Sequence, residues 1–462
     1  MPLASPQGTR TEPAAGRLRI GSIGFVPGIT RREIGVFLLV MGLAQVLVGF
    51  ANLMQPFIFA EITHIPAGER GRIAGELLTV QQAVLLVCVS LAGALSDRVG
   101  RKALLVCAVG GFGLSFLLYP LAGTVAALFA LRVLFGLAST CHTAGGPTKF
   151  IDYPDNASRG RFVALVMVIM AVLNVVLVGA VGARLPGWLR HAGTSTAMAG
   201  SVALWIAAGL ALGTALLAGF GLMRDVGDAP APRLSPWRRM TAMFTGFGAV
   251  VAHARANPRF GTLLLTSFVI RTDTSIIQSF LALWVTAQGA RQGIDTLAAL
   301  RIAGTLAAII SGVNLFLPPL MGWLLDRYSR VHIYVAAISA VGVVFLCAPL
   351  VTDVAGWGMY ALALGIGLAE SAQTISQQAL FGQEAPPHLR GTAYGLLAFF
   401  GSFSVVIIAF VAGQMFDRMG PTAPFTLTGG LHLVFAALSL GLLLRAMAAG
   451  RGARALTVGL PG

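Results

Sequence analysis

The sequence predicts an all-α integral membrane protein whose twelve transmembrane helices form two pseudo-symmetric six-helix bundles. Three observations carry that expectation. Of 462 residues, 56% are apolar and only 11% charged, with a mean hydropathy of +0.82, whereas a soluble surface needs about a quarter charged residues. Apolar stretches of roughly 20 residues, long enough to cross a hydrocarbon layer about 30 Å thick, recur along nearly the whole chain. A charged, glycine-led turn is written twice at half-chain spacing. It reads Gly93-Ala-Leu-Ser-Asp97-Arg98-Val-Gly100-Arg101-Lys102 and, 229 residues later, Gly322-Trp-Leu-Leu-Asp326-Arg327-Tyr-Ser-Arg330.

Residues 1–33, with Pro2, Pro6, Pro13 and Gly28, hold no signal-peptide run and read as a flexible N-terminal tail. The first span, 34–59, is too long for a signal peptide's apolar core and lacks a small-residue cleavage pattern, so it is expected to be retained. Span 2 (73–95) leads into the first charged turn. Spans 3 (103–121), 4 (124–147), 5 (162–183) and 6 (197–222) complete an N-terminal bundle over 34–222.

Residues 223–259 are the one long polar linker, where Asp225, Asp228, Pro230, Pro232, Pro236, Arg238 and Arg239 concentrate. An amphipathic helix from Trp237 to His253, lying on the inner membrane surface, and an unstructured tether are equal readings. Spans 7 (260–287), 8 (298–325), 9 (331–351), 10 (356–380), 11 (392–414) and 12 (425–447) make a C-terminal bundle over 260–447, followed by a tail at 448–462. The repeat reaches beyond the turns. Gly136-Leu-Ala-Ser-Thr-Cys-His-Thr143 aligns with Gly367-Leu-Ala-Glu-Ser-Ala-Gln-Thr374, and Arg159-Gly160 with Arg390-Gly391, both at an offset of 231.

The formal charge is +15, but the arginines are scattered among short loops instead of massed with aromatics on one module, which argues against nucleic acid as a partner. With the N-terminus inside, about 23 of the Lys and Arg residues fall in cytoplasmic segments and about 6 in outer loops. Both termini are then cytoplasmic, in a multi-pass protein of the cell (inner or plasma) membrane. Cys88, Cys107, Cys141 and Cys347 lie in apolar stretches without C-x-x-C spacing and read as small buried hydrophobes. The seven histidines make no H-E-x-x-H set, no Walker loop is present, and Gly111-Phe-Gly113 lies inside a span. No metal site, cofactor or enzymatic activity is expected.

Ionisable side chains inside a bilayer are costly and mark function. Spans 1, 4, 7 and 10 carry polar residues at helical spacing: Gln45, Asn52 and Gln55; Arg132, Ser139, His142 and Thr143; Arg271, Thr274, Ser275 and Gln278; Glu370, Gln373, Thr374 and Gln377. Each set falls on one face, so the four faces can converge on a central aqueous substrate cavity. A mid-span carboxyl is costly to keep charged, which makes Glu370 the leading proton carrier. The alternative is a permanently paired carboxylate, with Arg132 or Arg271 as partner.

Asp273 sits about 200° around the helix from Arg271, so the two cannot share the cavity face. Arg271 is favoured for substrate contact, because Thr274, Ser275 and Gln278 share its face and its planar fork suits carboxylate or phosphate. Asp273 is a second proton-coupling candidate or one half of a buried interhelical ion pair. His142 reads as a packing histidine before a proton relay, and Glu76 reaches the outer interface with no function required.

Two six-helix halves, the G-x-x-x-D-R-x-G-R-K turn, its degraded copy and Arg132-x-x-x-Gly136 resemble the major facilitator superfamily of secondary transporters, in particular bacterial 12-helix proton-coupled members. The likeness covers essentially the whole membrane portion. The second turn departs from the signature, with Ser329 in place of glycine and Val331 in place of a second base. From the residues alone, Gly93 allows close helix approach, Gly100 a tight reversal, and Asp97 can pair with Arg101 four positions on.

The resemblance implies that Asp97 latches onto the start of helix 11, just after Arg390-Gly391, when the cytoplasmic side closes; a helix N-terminus favours a carboxylate. The expected cytoplasmic gate is therefore Gly93, Asp97, Arg98, Gly100, Arg101 and Lys102 with Arg159 and Arg161, plus Gly322, Asp326, Arg327 and Arg330 from the copy. Span 5 carries Gly179-Ala-Val-Gly182 in place of the G-P-x-x-G-G run of exporters. The expected function is alternating-access, proton-coupled secondary transport by a monomer. Efflux of drugs or metabolites and uptake of a small organic solute both fit. A lipid flippase or a transporter-like receptor is the alternative.

Overall fold

A computed structural model describes residues 18–146, 153–155, 158–222 and 236–448, apart from the side chains of Ser90, Ala94, Asp97, Arg98 and residues 236–245. Twelve long helices follow one another: α1 Arg31–Phe57, α2 Arg70–Val99, α3 Arg101–Leu118, α4 Val125–Gly145, α5 Arg159–Leu173, α6 Thr196–Gly221, α7 Pro258–Arg291, α8 Thr296–Arg327, α9 Arg330–Leu346, α10 Trp357–Glu384, α11 Arg390–Met419 and α12 Ala423–Ala448. Among the described residues eleven are long and apolar enough to cross a membrane, α5 only with its continuation to His191. The exception is α10, the helix of Glu370, Gln373, Thr374 and Gln377, which packs against both α8 and α9.

Side-chain caps start several of these helices. Thr30, Thr124, Ser195 and Asp295 each accept a backbone N–H three residues on, satisfying a donor that the first turn leaves unpaired. α5 widens at Asn174–Gly182 into a π-helix, followed by the short helix Leu185–His191.

The two charged turns differ for a backbone reason. Gly100 ends α2 at φ 89°, ψ 153°, a region essentially restricted to glycine. Its counterpart Ser329 sits at φ −60°, ψ 121°, which any residue adopts, so the second copy carries no glycine there and no strain. A third copy, unread in the sequence, ends α11: Gly413-Gln-Met-Phe-Asp417-Arg418-Met-Gly420, with Gly420 at φ 116°. Gly100→Ala is therefore expected to cost about 1–3 kcal/mol and lower the thermal unfolding midpoint of purified protein. Ser329→Ala, which removes no capping hydrogen bond, should leave it unchanged; equal shifts would refute the backbone explanation.

Four expectations need correction. The tail is not free over 18–30. Arg19–Ile20 pairs antiparallel with Ile23–Gly24 across a two-residue turn with Gly21 at φ 56°, Phe25 meets Phe162 edge-on at 5.4 Å, and the Gly24 N–H donates to Ser158 Oγ at 2.9 Å. Burying Ile23 and Phe25 on the loop before α5 holds this hairpin in place; residues 1–17 lie outside the described residues. A Cβ on Gly93 or Gly322 would meet nothing within 4 Å, so neither glycine serves close helix approach in this conformation. Cys88, Cys141 and Cys347 are half-buried and Cys107 is exposed, so none is a fully buried hydrophobe. Finally, Ser139 and Thr143 turn their hydroxyls back onto the carbonyls of Phe135 and Ser139 in α4.

Between the bundles, the linker forms a helix at Pro236–Ala256, with 223–235 outside the described residues. It buries Val250 and Ala254 on the C-terminal bundle. His253 Nε2 lies 3.2 Å from the Glu384 carbonyl, while Asn257 and Arg259 hold the Glu384 carboxylate at 2.8 and 3.5 Å.

The described inter-bundle contacts lie at mid-height and at the end away from the charged turns. There α2 and α11 touch through glycine: a Cβ on Gly75 would come within 2.8 Å of Gly413 Cα. Asp417 accepts the N–H groups of Gly71 and Arg72 at 2.8 and 2.7 Å, so a carboxylate at the end of α11 caps the start of α2. Thr79 donates to the Val406 carbonyl at 3.1 Å. Gly179 and Ala183 of the π-segment meet Gly304 and Ala308 of α8, and Arg190 faces Asp295 at 3.6 Å.

Candidate functional site

A cavity of about 300 Å³ lies at the seam of the bundles, lined by α1, α5, α7, α8 and α10. Its polar lining comprises five amides (Gln45, Asn52, Asn174, Gln278, Asn314), four hydroxyls (Thr274, Ser311, Ser371, Thr374) and one carboxyl, Glu370. Apolar surface from Leu53, Val178, Ile277, Leu281 and Ile310 fills the gaps. This balance suits a small solute held by a few directed hydrogen bonds against an apolar wall.

The predicted stripes meet only in part. Those of α1, α7 and α10 supply Gln45, Asn52, Thr274, Gln278, Glu370 and Thr374. From α4, Arg132 is buried behind the wall, with Nη2 3.5 Å from Asn52 Oδ1 and its guanidinium 5.6 Å from the Phe135 ring centroid. Ser139 and His142 do not line the cavity; His142 sits 6.3 Å from the Phe112 ring. Gln55 is buried away from it, and Gln377 also lies outside the lining.

Arg271, expected to contact substrate, is exposed and stands apart from this cavity. Its methylenes lie against Gly401 of α11, one helical turn nearer the charged-turn end than Ser275, and it does not line the cavity. Glu370 is, among the described residues, the only ionisable group lining it. Among the described residues it pairs with a hydroxyl, Thr274 Oγ1 donating to Oε1 at 2.5 Å, and with neither Arg132 nor Arg271.

Behind Glu370 lies a buried polar layer. Asp273 is fully buried; its Oδ2 accepts from Gln373 Nε2 at 2.7 Å and faces His432 Nε2 at 3.6 Å. His432, on α12, has Nδ1 2.8 Å from the Thr428 carbonyl. A carbonyl only accepts, so Nδ1 carries the hydrogen. His432 Nε2 and the Asp273 carboxylate thus face each other between α12 and α7. Gln373 therefore serves Asp273 instead of the cavity.

Sequence reasoning missed Asn174, Ser311 and Asn314. Asn174 starts the π-helix of α5 and donates to Ser311 Oγ across the seam at 2.9 Å, beside Gly49, where a Cβ would meet its amide oxygen at 2.8 Å. Asn314 accepts from Ser371 at 2.8 Å. A lone amide in an otherwise apolar span was the available signal.

Of the expected gate, the side chains of Asp97 and Arg98 lie outside the described residues. Lys102 donates to the Leu222 carbonyl at 2.6 Å, tying α3 to the end of α6 within one bundle. Arg101 is half-buried, while Arg159 is exposed. In the second turn Asp326 is exposed, Arg327 lies 5.7 Å from the Trp323 ring centroid, and Arg330 donates to the Ala379 carbonyl at 3.4 Å.

Several known proteins are similar to this chain. It is 24% identical over 429 residues to magnetosome protein MamH of Paramagnetospirillum magneticum, covering 91% of this chain and 95% of that protein. It is 24% identical over 412 residues to magnetosome protein MamZ of Magnetospirillum gryphiswaldense, covering 85% of this chain but spanning 60% of that relative's length.

Among solved structures, nucleoside transporter NupG superposes with a TM-score of 0.66 at 12% identity, covering 89% of this chain and 99% of that one. A bacterial homologue of the human lysosomal transporter Spinster, inward-facing and occupied, gives 0.60 at 15% identity, covering 90% and 96%. At such identities these structures show the fold alone. A family model described as Major Facilitator Superfamily matches residues 36–404 and, overlapping them, 263–457. Because that match runs through both bundles and across the cavity between them, the chain belongs to the Major Facilitator Superfamily of membrane transporters.

Proposed function

We propose that the chain carries a small polar solute, neutral or cationic, through this cavity by proton-coupled alternating access, with Glu370 as the proton-binding group. The observation that carries the reading is that, among the described residues, Glu370 is the single ionisable group lining a cavity between the two bundles, which can rock about it. Thr274 donates to one of its oxygens, while Asp273 is fully buried behind it, so among the described residues Glu370 is the carboxyl that a solute in the cavity can touch.

The chemistry of the solute sets the direction of coupling. A cationic solute that pairs with Glu370 displaces its proton and exchanges against it; a neutral one that hydrogen-bonds to the protonated acid travels with it. A nucleoside, the solute named for one structural neighbour, is neutral and polar. The absence of a cationic lining residue among the described residues disfavours anionic cargo.

On this reading both termini are cytoplasmic in the cell membrane, the bundles 34–222 and 260–447 work as a monomer joined by 223–259, and the described conformation is closed on the outer side. Asp97 then engages the start of α11 once the inner side closes. Asp97→Asn is expected to slow turnover about two- to fivefold, from the 0.3–1 kcal/mol of a carboxylate at a helix N-terminus, with solute affinity unchanged. An unaltered transport velocity would remove the latch.

The function itself is tested in proteoliposomes with and without an imposed pH gradient, using solutes chosen by thermal-shift screening. Gradient-driven solute movement supports the proposal. No solute flux under any gradient, together with measurable lipid scrambling, would replace it with a flippase.

A further inference from the structure

We propose that the end of the molecule opposite the charged turns carries a second site, a vestibule that binds a phosphate or carboxylate group. The cavity there is about 480 Å³ and sits where the short helix Leu185–His191 meets the start of α8 across the bundle seam. Arg184, Arg190, His191 and Arg301 line it with a single carboxylate, Asp295, and with Trp188.

Basic residues are scarce at this end, about 6 along the whole chain on the charge distribution read from the sequence, yet three arginines converge on one cavity. Their state leaves room for a ligand. Arg184 is fixed by donating from Nη1 to the carbonyls of Gly179 and Ala180 at 2.9 and 3.0 Å. Arg190 faces Asp295 Oδ2 at 3.6 Å with both side chains more than a third exposed, at 38% and 53%, a geometry in which an ion pair is worth little.

The other oxygen of Asp295 is occupied in capping α8, accepting from Ala298 at 2.7 Å. Arg301 is exposed, and no ion pair is recorded for it among the described residues. Three arginines therefore line a cavity whose one carboxylate is already engaged twice. Planar forks match the paired oxygens of phosphate and carboxylate.

Among the described residues no cation lines the central cavity, so this site is chemically distinct from it. Arg190 and Arg301 belong to different bundles, so an anion held by both sits across the seam. The binding does not rest on the transporter reading.

The test uses purified full-length protein in detergent, following Trp188 fluorescence as inorganic phosphate or citrate replaces chloride at constant ionic strength. Trp188→Phe identifies the signal, and equilibrium dialysis with radiolabelled phosphate reads the same binding should the fluorescence be silent. The expected result is saturable binding that Arg190→Gln and Arg301→Gln each weaken about tenfold, one lost charge-assisted contact, and that Asp295→Asn tightens severalfold.

Nanodiscs with and without phosphatidylglycerol separate the two sources of the ligand. Phosphate binding in both points to a dissolved anion; binding abolished by phosphatidylglycerol points to a lipid headgroup already seated. Absence of saturable phosphate or citrate binding in detergent, or equal affinity in wild type and both arginine variants, would overturn the site. Either result leaves the transport reading standing.

Discussion

Glu370→Gln is expected to abolish pH-gradient-driven accumulation of solute while leaving solute exchange across the membrane intact. Glutamine keeps the size and a hydrogen-bonding oxygen for Thr274, whose hydroxyl reaches Glu370 Oε1 in the native site, but it cannot take up and release a proton. The cavity can still open to either side with solute inside; what disappears is the requirement that a proton accompany or oppose it. Asp273→Asn should act differently. Asp273 is buried behind the cavity between Gln373 and His432, and asparagine, with one acceptor oxygen and no charge, cannot serve both as the carboxylate does. Such a change destabilises the fold by removing one member of a buried pair, and it should appear first as a lower thermal midpoint. Full accumulation by Glu370→Gln would transfer proton coupling away from the cavity.

Gly75→Val is expected to move the protein out of the conformation described here. The α2–α11 contact has no room for a side chain, because the new Cβ would lie 2.8 Å from Gly413 Cα and against the Ala409 carbonyl. Both neighbours are backbone and cannot rotate aside, and overpacking of this kind costs about 1–3 kcal/mol. Charged to one of two conformations, that is a shift of about 5- to 150-fold in their ratio. The readout is labelling of a cysteine at Gln278, in a variant without the four native cysteines, by an impermeant thiol reagent applied at the end away from the charged turns. Labelling should rise steeply in Gly75→Val and stay at the control level in Gly209→Val, where a Cβ meets nothing within 4 Å. Equal labelling in both would mean that the glycine seam does not hold that end shut.

Periodicity carried much of the fold. Twelve apolar runs, a repeat at offsets of 229 to 231 and the stripes of α1, α7 and α10 were all legible, since spacing alone determines which residues share a helix face. How far a helix is rotated toward a neighbour is set by packing and is not legible in the same way. The α4 stripe therefore looked equivalent to the others, yet Arg132 is buried behind Asn52 and never reaches the cavity lining. Arg271 and Asp273 were correctly separated around α7, but neither lines the cavity; Thr274 between them does. His432 had no readable role, because its partner Asp273 lies on another helix and only tertiary packing joins them. Asp417 escaped for a different reason: the third glycine-led turn lies off the half-chain spacing that revealed the first two, at the opposite end of the bundle, where it caps α2.

Proton and solute movement recorded together, in proteoliposomes with a lumenal pH dye and the solute that gives the strongest thermal shift, most directly test Glu370 as the link between them. The expected result is a solute-dependent change in lumenal pH with wild-type protein, absent with Glu370→Gln although that variant still exchanges solute. A solute-dependent pH change of wild-type size in Glu370→Gln, or solute accumulation by wild-type protein with no proton movement, would contradict it.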